Sequence, residues 1–483
     1  MRNAKLPFIF ARDQEVLIVG DQVFTGPGVT QTGLREAQRR LGSRLAGLQD
    51  LDEAGFAQAL SRAYENNDDP AEEDGVVFDL EETPASARQR DLLEDAGDAP
   101  VIQLVNRLLR KAVQNSASDL HFEPHEHGLR VRMRVDGYLQ EIMDRGNVPV
   151  KRIVSRLKVM AGLDIAETRL PQDGRIPLSM GGRVIDTRVS SLPGHYGERI
   201  VLRILDRTAG LMPLTDLGLS PEQQENLELM AALPNGIILA TGPTGAGKTT
   251  TLYSLLQLAN RNERNIVTIE DPIEYDLPGV SQSQINAEIG MTFAAGLRAT
   301  LRQDPDVILV GEIRDPETAQ VASQSALTGH LVFSSLHANS SVGAVVRLRD
   351  LGLDNFLIAA TLRGVIAQRL LRKLCAECKQ PRAPSAVEAD RFARHGLIVP
   401  EILFDPGVCD ACGGTGHSGR LGIFEILLVD DDLRGSIDAG LSETEIRAQA
   451  IAPSETLVGQ GLSATALGIV SLTETLRVVG DVA

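Results

Sequence analysis

The stretch ATGPTGAGKTTTLYSLL, residues 240–256, sets the architecture of this chain. Its centre, Gly242 to Thr249, satisfies the pattern G-x-x-x-x-G-K-[ST], with the apolar run GIILATG before it and a helical pattern after it. The loop Gly242, Pro243, Thr244, Gly245, Ala246 and Gly247 turns successive backbone N–H groups inward, where they cradle phosphate oxygens, and the helix N-terminus that follows adds partial positive charge. Lys248 reaches the β/γ phosphates, Thr249 offers its hydroxyl to Mg²⁺, and Thr250 completes the phosphate-facing turn. Motif and context together imply ATP as ligand, against the alternative of a glycine-rich turn that binds nothing.

Outward from this loop the pattern strand, loop, helix repeats. GIILATG, NIVTIED, DVILVGE and HLVFSSLH are short apolar runs that end in polar residues. Runs of this kind, buried on both faces, belong to a parallel sheet whose ligand lies beyond the carboxyl ends of the strands, so the expected fold is α/β. The polar residues at those ends are the active-site candidates. Glu312 follows Val307 to Val310 and Gly311, where it can take a proton from an attacking water or hold magnesium through its hydration shell. Glu270, Asp271 and Glu274 form a second cluster in IEDPIEY; the bland alternative for both clusters is helix capping. His330 and His337 bracket LVFSS, so one of them is placed to sense the γ-phosphate, with a structural role as the alternative.

All four cysteines fall in two CxxC pairs, Cys375/Cys378 and Cys409/Cys412. In a reducing compartment four thiolates suit tetrahedral zinc, with buried or redox-active thiols as the alternative. The 30 residues between the pairs exceed the ~15–20 of a simple ribbon, so an insertion is expected there, and a closed ligand set makes the metal structural.

At 483 residues the chain exceeds what one core usually supports. Segment 68–82, DDPAEEDGVVFDLEE, carries eight carboxylates, and no Lys or Arg occurs between Arg62 and Arg88. It reads as a solvated linker, or else as an acidic docking peptide for a basic partner. Residues 1–66 form a small domain before the linker at 67–98, with the apolar run VLIVG and a helical pattern in GLREAQRRLGSRLAGL. Residues 99–210 form an α+β domain. In it Val101, Val105, Leu108, Leu109 and Val113 share a helical face, and Leu129, Val131, Met133 and Val135 alternate with Arg130, Arg132 and Arg134 before a tight turn at Asp136-Gly137. A second hairpin turns at Gly181-Gly182. Residues 211–483 hold the phosphate loop, with the cysteine insertion at 372–416. A formal charge of −17 and the absence of Trp argue against nucleic acid as substrate. Neither a signal peptide in residues 1–30 nor ~18 consecutive apolar residues occurs, so a cytoplasmic location is expected.

The segments TGPTGAGKTTTLY, IEDPIEY, GLRATLRQDPDVILVGEIRDPETA and TGHLVFSSLHANS resemble the Walker A, Asp-box, Walker B and His-box segments of secretion and pilus ATPases. ASDLHFEP, RMRVDG, RLPQDGRIPL and GERIVLRIL extend the resemblance upstream, so that it covers residues from about 99 to about 430. The cysteine insertion fits the secretion and pilus-extension branch and speaks against the shorter retraction ATPases, and the chain as a whole resembles the type II secretion ATPases. It implies a RecA-like ATPase domain preceded by a PAS-like α+β domain, in a homo-hexamer whose α+β domains close over ATP bound by a neighbour and drive pseudopilus assembly. On that resemblance Arg188 in DTRVSS and Arg203 in IVLRIL are the inter-subunit arginines, Arg298, Arg302 and Arg314 are arginines of the ATPase domain, and Glu312 and Glu274 are the acids of water activation. LPFIFARDQEVLIV resembles the recruitment domain, which implies inner-membrane platform proteins as partners, the cytoplasmic domain of protein L and protein F. The C-terminal tail, IAPSETLVGQGLSATALG, is only loosely similar to the family. The type IV pilus extension ATPases share every one of these boxes and are the nearest alternative. A nucleic-acid translocase and a non-hydrolysing scaffold are more distant ones.

Overall fold

The computed structural model describes Leu6 and residues 10–11, 14–20, 22–41, 47–52, 55–56, 59–60, 99–146, 148–180, 183–206, 212–260 and 263–480. The acidic segment 67–98 and the Gly181-Gly182 turn lie outside the described residues. The chain divides into two compact units, Met1–Ala209 and Gly210–Ala483.

The first unit opens with β1 (Val16–Val19), β2 (Gln22–Thr25) and β3 (Gly47–Asp50), in the order β1-β2-β3, with helix Gln31–Leu41 between the last two. The helix is shorter than the pattern of GLREAQRRLGSRLAGL suggests, because the end of that stretch, Gly47 and Leu48, pairs as a strand beside β2.

A second sheet follows, made of β4 (Asp119–His125), β5 (Gly128–Val135), β6 (Tyr138–Arg145), β7 (Gln172–Met180), β8 (Arg183–Leu192) and β9 (Arg199–Asp206), in the order β6-β5-β4-β9-β8-β7. Every pairing in it is antiparallel. The Asp136-Gly137 turn carries φ of 49° and 85°, the double left-handed geometry that a two-residue hairpin needs to follow strand twist. One face is apolar: Leu120, Phe122, Leu129 and Val131 pack with Val101, Val105 and Leu109 of helix Ala99–Gln114 and with Ile153 and Leu157 of helix Val150–Met160. The period of two in the strands sends the intervening arginines to the other face.

The second unit is built on β10 (Gly236–Thr241), β11 (Ile266–Glu270), β12 (Ser281–Gln284), β13 (Val307–Val310), β14 (Leu331–Leu336), β15 (Leu362–Leu374) and β18 (His417–Leu428), ordered β12-β11-β13-β14-β10-β15-β18. All neighbours run parallel except β15 and β18. Both faces are covered. Ile237 and Leu239 of β10 enter one core with Leu297 and Val345, whereas Ile238 and Ala240 enter the other with Leu252 and Leu256 of helix Lys248–Ala259. This is why the strand sequences run continuously apolar rather than alternating. Truncating one of these leucines to alanine costs ~2–5 kcal/mol, which makes the sheet a stiff platform for the loops at its carboxyl edge.

Between the two cysteine pairs lies the expected insertion: β16 (Gln380–Arg382) and β17 (Leu403–Asp405) form a two-stranded sheet, joined through helix Ala386–Arg394. The C-terminal helices Leu457–Ala466 and Leu472–Val479 pack on the β15/β18 pair through Leu457, Ala464 and Val470 against Ala367, Leu371 and Ile423. Among the described residues no helix is long and apolar enough to cross a membrane.

Candidate active site

At the carboxyl end of β10, Thr241 donates its hydroxyl hydrogen to Ala338 O and accepts from Ala338 N–H, both at 2.9 Å, which ties the phosphate loop to the segment after β14. Gly242 has φ 149°, and a Cβ there would meet Gln368 O at 2.7 Å; Gly247, with φ 88°, caps the N-terminus of helix Lys248–Ala259. No side chain fits the first position and few tolerate the second. Lys248 Nζ donates to Gly242 O (2.8 Å) and Pro243 O (3.1 Å), so the ammonium lies on the loop itself. Burial pushes its pKa below the ordinary lysine range, and the Glu312 carboxylate opposes that shift. Thr249 is exposed in the first helical turn. Loop, helix N-terminus and ammonium together form a cradle that fits a polyphosphate.

Glu312 stands where β13 has just ended. Gly311 N–H donates to Ile269 O (2.8 Å) and Ile313 N–H to Ser335 O (2.9 Å), so the residue is held between the ends of β11 and β14. Its carboxylate is 13% exposed, contacts the Arg314 guanidinium, and lies 3.6 Å from His337 Nε2. Glu312, Arg314, His337 and Lys248 therefore gather at one edge of the sheet.

The second acidic cluster divides. Glu270, only 3% exposed, is a structural hub: it accepts from Tyr253 OH, from the Thr268 hydroxyl at 2.5 Å and from Gln282 Nε2 at 3.1 Å. These bonds occupy both of its oxygens, so its carboxylate is engaged in holding the fold rather than turned toward the phosphates. Tyr253 lies on the helix that begins at Lys248, and its hydroxyl also accepts from Glu274 N–H at 3.4 Å. Gln282 in turn accepts from Leu277 N–H (2.7 Å) and donates to Tyr275 O (3.0 Å). Tyr253, Glu270 and Gln282 thus anchor the loop 271–277, on which Asp271 is exposed and Glu274 half-buried.

The two histidines separate as well. His337 follows β14, but His330 precedes it, with Nδ1 2.9 Å from Ser325 O and its carbonyl accepting from Gly236 N–H (3.1 Å) at the start of β10. In a parallel sheet that is the far end of the strand, about 20 Å from the phosphate loop at ~3.3 Å per residue, too far for His330 to contact a nucleotide bound there in its own chain. Arg298 pairs with Glu317 at 2.7 Å, beside the loop that carries Arg314. Arg302 donates to Arg298 O (2.9 Å) and follows helix Phe293–Thr300 toward the start of β13, where Asn265 Nδ2 holds Gln303 O and Asp304 O at 2.8 Å. In its own chain Arg302 is therefore at the edge of the sheet opposite Lys248.

In the first unit, Arg188 of β8 and Arg203 of β9 are directly opposed, flanked in the same row by Arg175 of β7 and Asp119 of β4. Three arginines abreast with one acid make this part of the polar face a strongly cationic strip. Arg203 is 62% exposed and 3.4 Å from Asp119. The next acid along β4, Glu123, is bound by Arg132 at 2.7 Å and Arg199 at 2.8 Å.

The sulfur atoms of Cys375, Cys378, Cys409 and Cys412 lie within 4.8 Å of one another. Three separations, 3.7, 3.9 and 3.6 Å, match the ~3.8 Å edge of a tetrahedron with ~2.3 Å metal–sulfur bonds. Gly416 N–H donates to the Cys412 sulfur at 3.2 Å, the kind of outer contact that steadies a ligating thiolate.

Four residues of this site are absent from the sequence reading: Tyr253, Gln282, Gln368 and Arg369. Gln368 Nε2 donates to Ala246 O (2.8 Å) and Arg369 Nη2 to Asn339 O (2.9 Å), so β15 braces the phosphate loop from below. Their signal was a polar pair inside the apolar run GVIAQRLL.

A phosphate loop on a parallel sheet of this order, with a carboxylate at the tip of the next strand but one, defines a RecA-like P-loop ATPase. Residues 94–477 match the family described as Type II/IV secretion system protein, and residues 5–64 match a domain family described as GSPII protein E. The chain is 46% identical over 491 residues to Type II secretion system protein E of Pectobacterium carotovorum subsp. carotovorum, covering 99% of this chain and 97% of that one. It is 44% identical over 496 residues to Type II secretion system ATPase E of Vibrio cholerae serotype O1, with the same 99% and 97% coverage. Among solved structures, the pilus retraction motor PilT with bound ADP matches at a TM-score of 0.52 and 25% identity, over 76% of this chain and 95% of PilT. The Legionella pneumophila ATPase DotB matches at 0.56 and 22%, over 77% and 94%, a likeness of fold. The chain belongs to the type II secretion protein E family. The match reaches residue 477, beyond the point near 430 where the resemblance of individual segments fades, and so takes in the C-terminal helices.

Proposed function

We propose that this ATPase cleaves ATP with Lys248 on the β/γ phosphates, Glu312 as the acid that orients or deprotonates the attacking water, and Glu274 as the second acid at the edge of the site. The observation that carries the reading is Glu312 itself: a largely buried carboxylate at a strand tip, between Arg314 and His337, whose charge is felt by the lysine of the phosphate loop. His337 is suited to hold Glu312 and to follow the γ-phosphate. Thr249 would hold Mg²⁺ through its hydroxyl, and the ion would neutralise charge on the β/γ oxygens. Asp271, exposed on the anchored loop, would hold the hydrated ion through its carboxylate.

The working unit in this reading is a homo-hexamer. Arg188 and Arg203, on the cationic strip of one protomer, stabilise the phosphates held by a neighbour, and Arg298 and Arg302 serve the same seam. Such arginines supplied across an interface are worth ~10³–10⁵ in rate in other NTPases. Zinc in the four-cysteine site is structural. The N-terminal domain recruits the enzyme to platform proteins L and F at the cytoplasmic face of the inner membrane, a role supported by the match at residues 5–64. ATP turnover there drives pseudopilus assembly and export.

Steady-state phosphate release tests the chemistry. Lys248→Ala and Glu312→Gln are expected to lose at least ~100-fold in kcat with unchanged melting temperature. Turnover within threefold of wild type by the Glu312 variant would remove it from the reaction.

A further inference from the structure

Arg369 is 8% exposed, and its guanidinium makes its hydrogen bonds to carbonyl oxygens: Nη1 to Gln368 O and Nη2 to Asn339 O, both at 2.9 Å. Among the described residues no carboxylate comes within ion-pair distance of it. The acid whose field reaches it, Glu425, is itself bound to Ser341 N–H (2.8 Å), the Ser341 hydroxyl (2.6 Å) and Leu457 N–H (3.1 Å). Burial lowers the pKa of Arg369, as it does that of Lys248, on which the charge of Arg369 adds a lesser push in the same direction. A buried guanidinium held by neutral acceptors is costly to the fold unless an anion comes to it.

The position of Arg369 says where that anion sits. A Cβ at Gly242 would lie 3.1 Å from Arg369 Nη1, and Lys248 Nζ is bonded to the carbonyl of the same glycine. The two cations thus flank the first residue of the phosphate loop, one on the solvent side and one beneath it. Asn339, which takes the other arm of Arg369, is two residues beyond His337.

We infer that Arg369 is a positioning residue whose buried charge is compensated by the polyphosphate of the bound nucleotide, and that it links occupancy of the phosphate loop to the segment carrying His337. The inference rests on the nucleotide reading above, and it makes a claim of its own: the cost of Arg369 is borne by the ligand-free protein and relieved on binding.

Thermal unfolding of the full chain, with and without the magnesium salt of AMP-PNP, separates this role from that of a brace. Arg369→Met keeps an unbranched apolar stem but removes the guanidinium, and with it both the charge and the two hydrogen bonds. It is expected to melt at or above the wild-type temperature without nucleotide, to lose more than half of the nucleotide-induced rise, and to bind the analogue roughly tenfold more weakly. Arg369→Lys keeps a charge but not the planar fork, and should retain most of that rise. A Met variant that fails to fold, or that melts lower while keeping the full rise, overturns the inference; so does a Lys variant that behaves as the Met variant does. Absence of any rise in the wild-type chain would count against nucleotide binding itself and would be seen before either variant is made.

Discussion

Removing one oxygen atom, in Tyr253→Phe, should separate the anchoring of the acidic loop from everything else the ATPase domain does. The ring is 1% exposed and packs edge-on against Tyr275 at 6.1 Å, and phenylalanine keeps both features. Burial, and then the Glu270 carboxylate, push the phenol pKa far above its ordinary value, so Tyr253 is a permanent donor. Its loss leaves a carboxylate that is 3% exposed with the Thr268 and Gln282 donors alone, and withdraws the acceptor of Glu274 N–H. A hydrogen bond to a buried charge is worth ~1.5–3 kcal/mol. At ~2–4 °C per kcal/mol for a domain of this size, melting should fall by roughly 3–12 °C. The loop 271–277 would lose its register against the phosphate loop, so kcat should drop about tenfold with the KM for ATP unchanged. Glu270→Gln removes the charge that Tyr253 serves; combined with Tyr253→Phe it should cost less than the two substitutions added, by at least ~1 kcal/mol. Wild-type melting in the Phe variant, or strict additivity in the pair, would show that the contact anchors nothing.

Three further outcomes follow from the same geometry. Specific ATPase activity should rise steeply with protein concentration, and Arg203→Glu should flatten that rise while leaving binding of a fluorescent ATP analogue to the isolated subunit within about twofold. Metal analysis should find one zinc per chain, and Cys409→Ser should abolish it and lower the melting temperature, whereas a cluster without metal would leave both measurements unmoved. Glu474, 2% exposed, loses to burial but gains more from Arg477 and Arg372, which hold its pKa at about 2, below the ordinary 4.5. A depressed carboxylate stabilises above its unfolded pKa and ceases to do so as pH falls toward the folded one. Stability should therefore drop between about pH 4.5 and pH 2, and Glu474→Gln should be less stable than wild type at pH 7 with a shallower decline in that window, measured by denaturant unfolding at each pH.

Local chemistry was legible because its causes are local. The phosphate loop depends on glycine geometry and one lysine within eight residues. The four strands read from the chain are continuous apolar runs bounded by polar residues, and the hairpin at Asp136-Gly137 is written in its own turn. β15 was harder: Leu362–Leu374 holds Gln368 and Arg369 in an apolar run with no period of two, since both of its faces are covered. β12, the polar strand Ser281–Gln284, has no apolar signal because it lies at the edge of the sheet.

From residue order alone came the polyphosphate cradle, the candidate acid at the tip of β13 and the spacing of the cysteines. Which polar groups share an edge was a matter of packing. His330 and His337 differ by one strand length, and in a parallel sheet that length is the distance between the two ends, so one histidine meets Glu312 and the other does not. Glu270, the last residue of β11, is buried on the side it shares with Thr268 and meets there a tyrosine from the phosphate-loop helix, whereas Asp271, next to it in sequence, lies beyond the strand and is exposed. Arg369 lies more than a hundred residues from Gly242, and only the pairing of β15 with β10 places its charge beneath the loop.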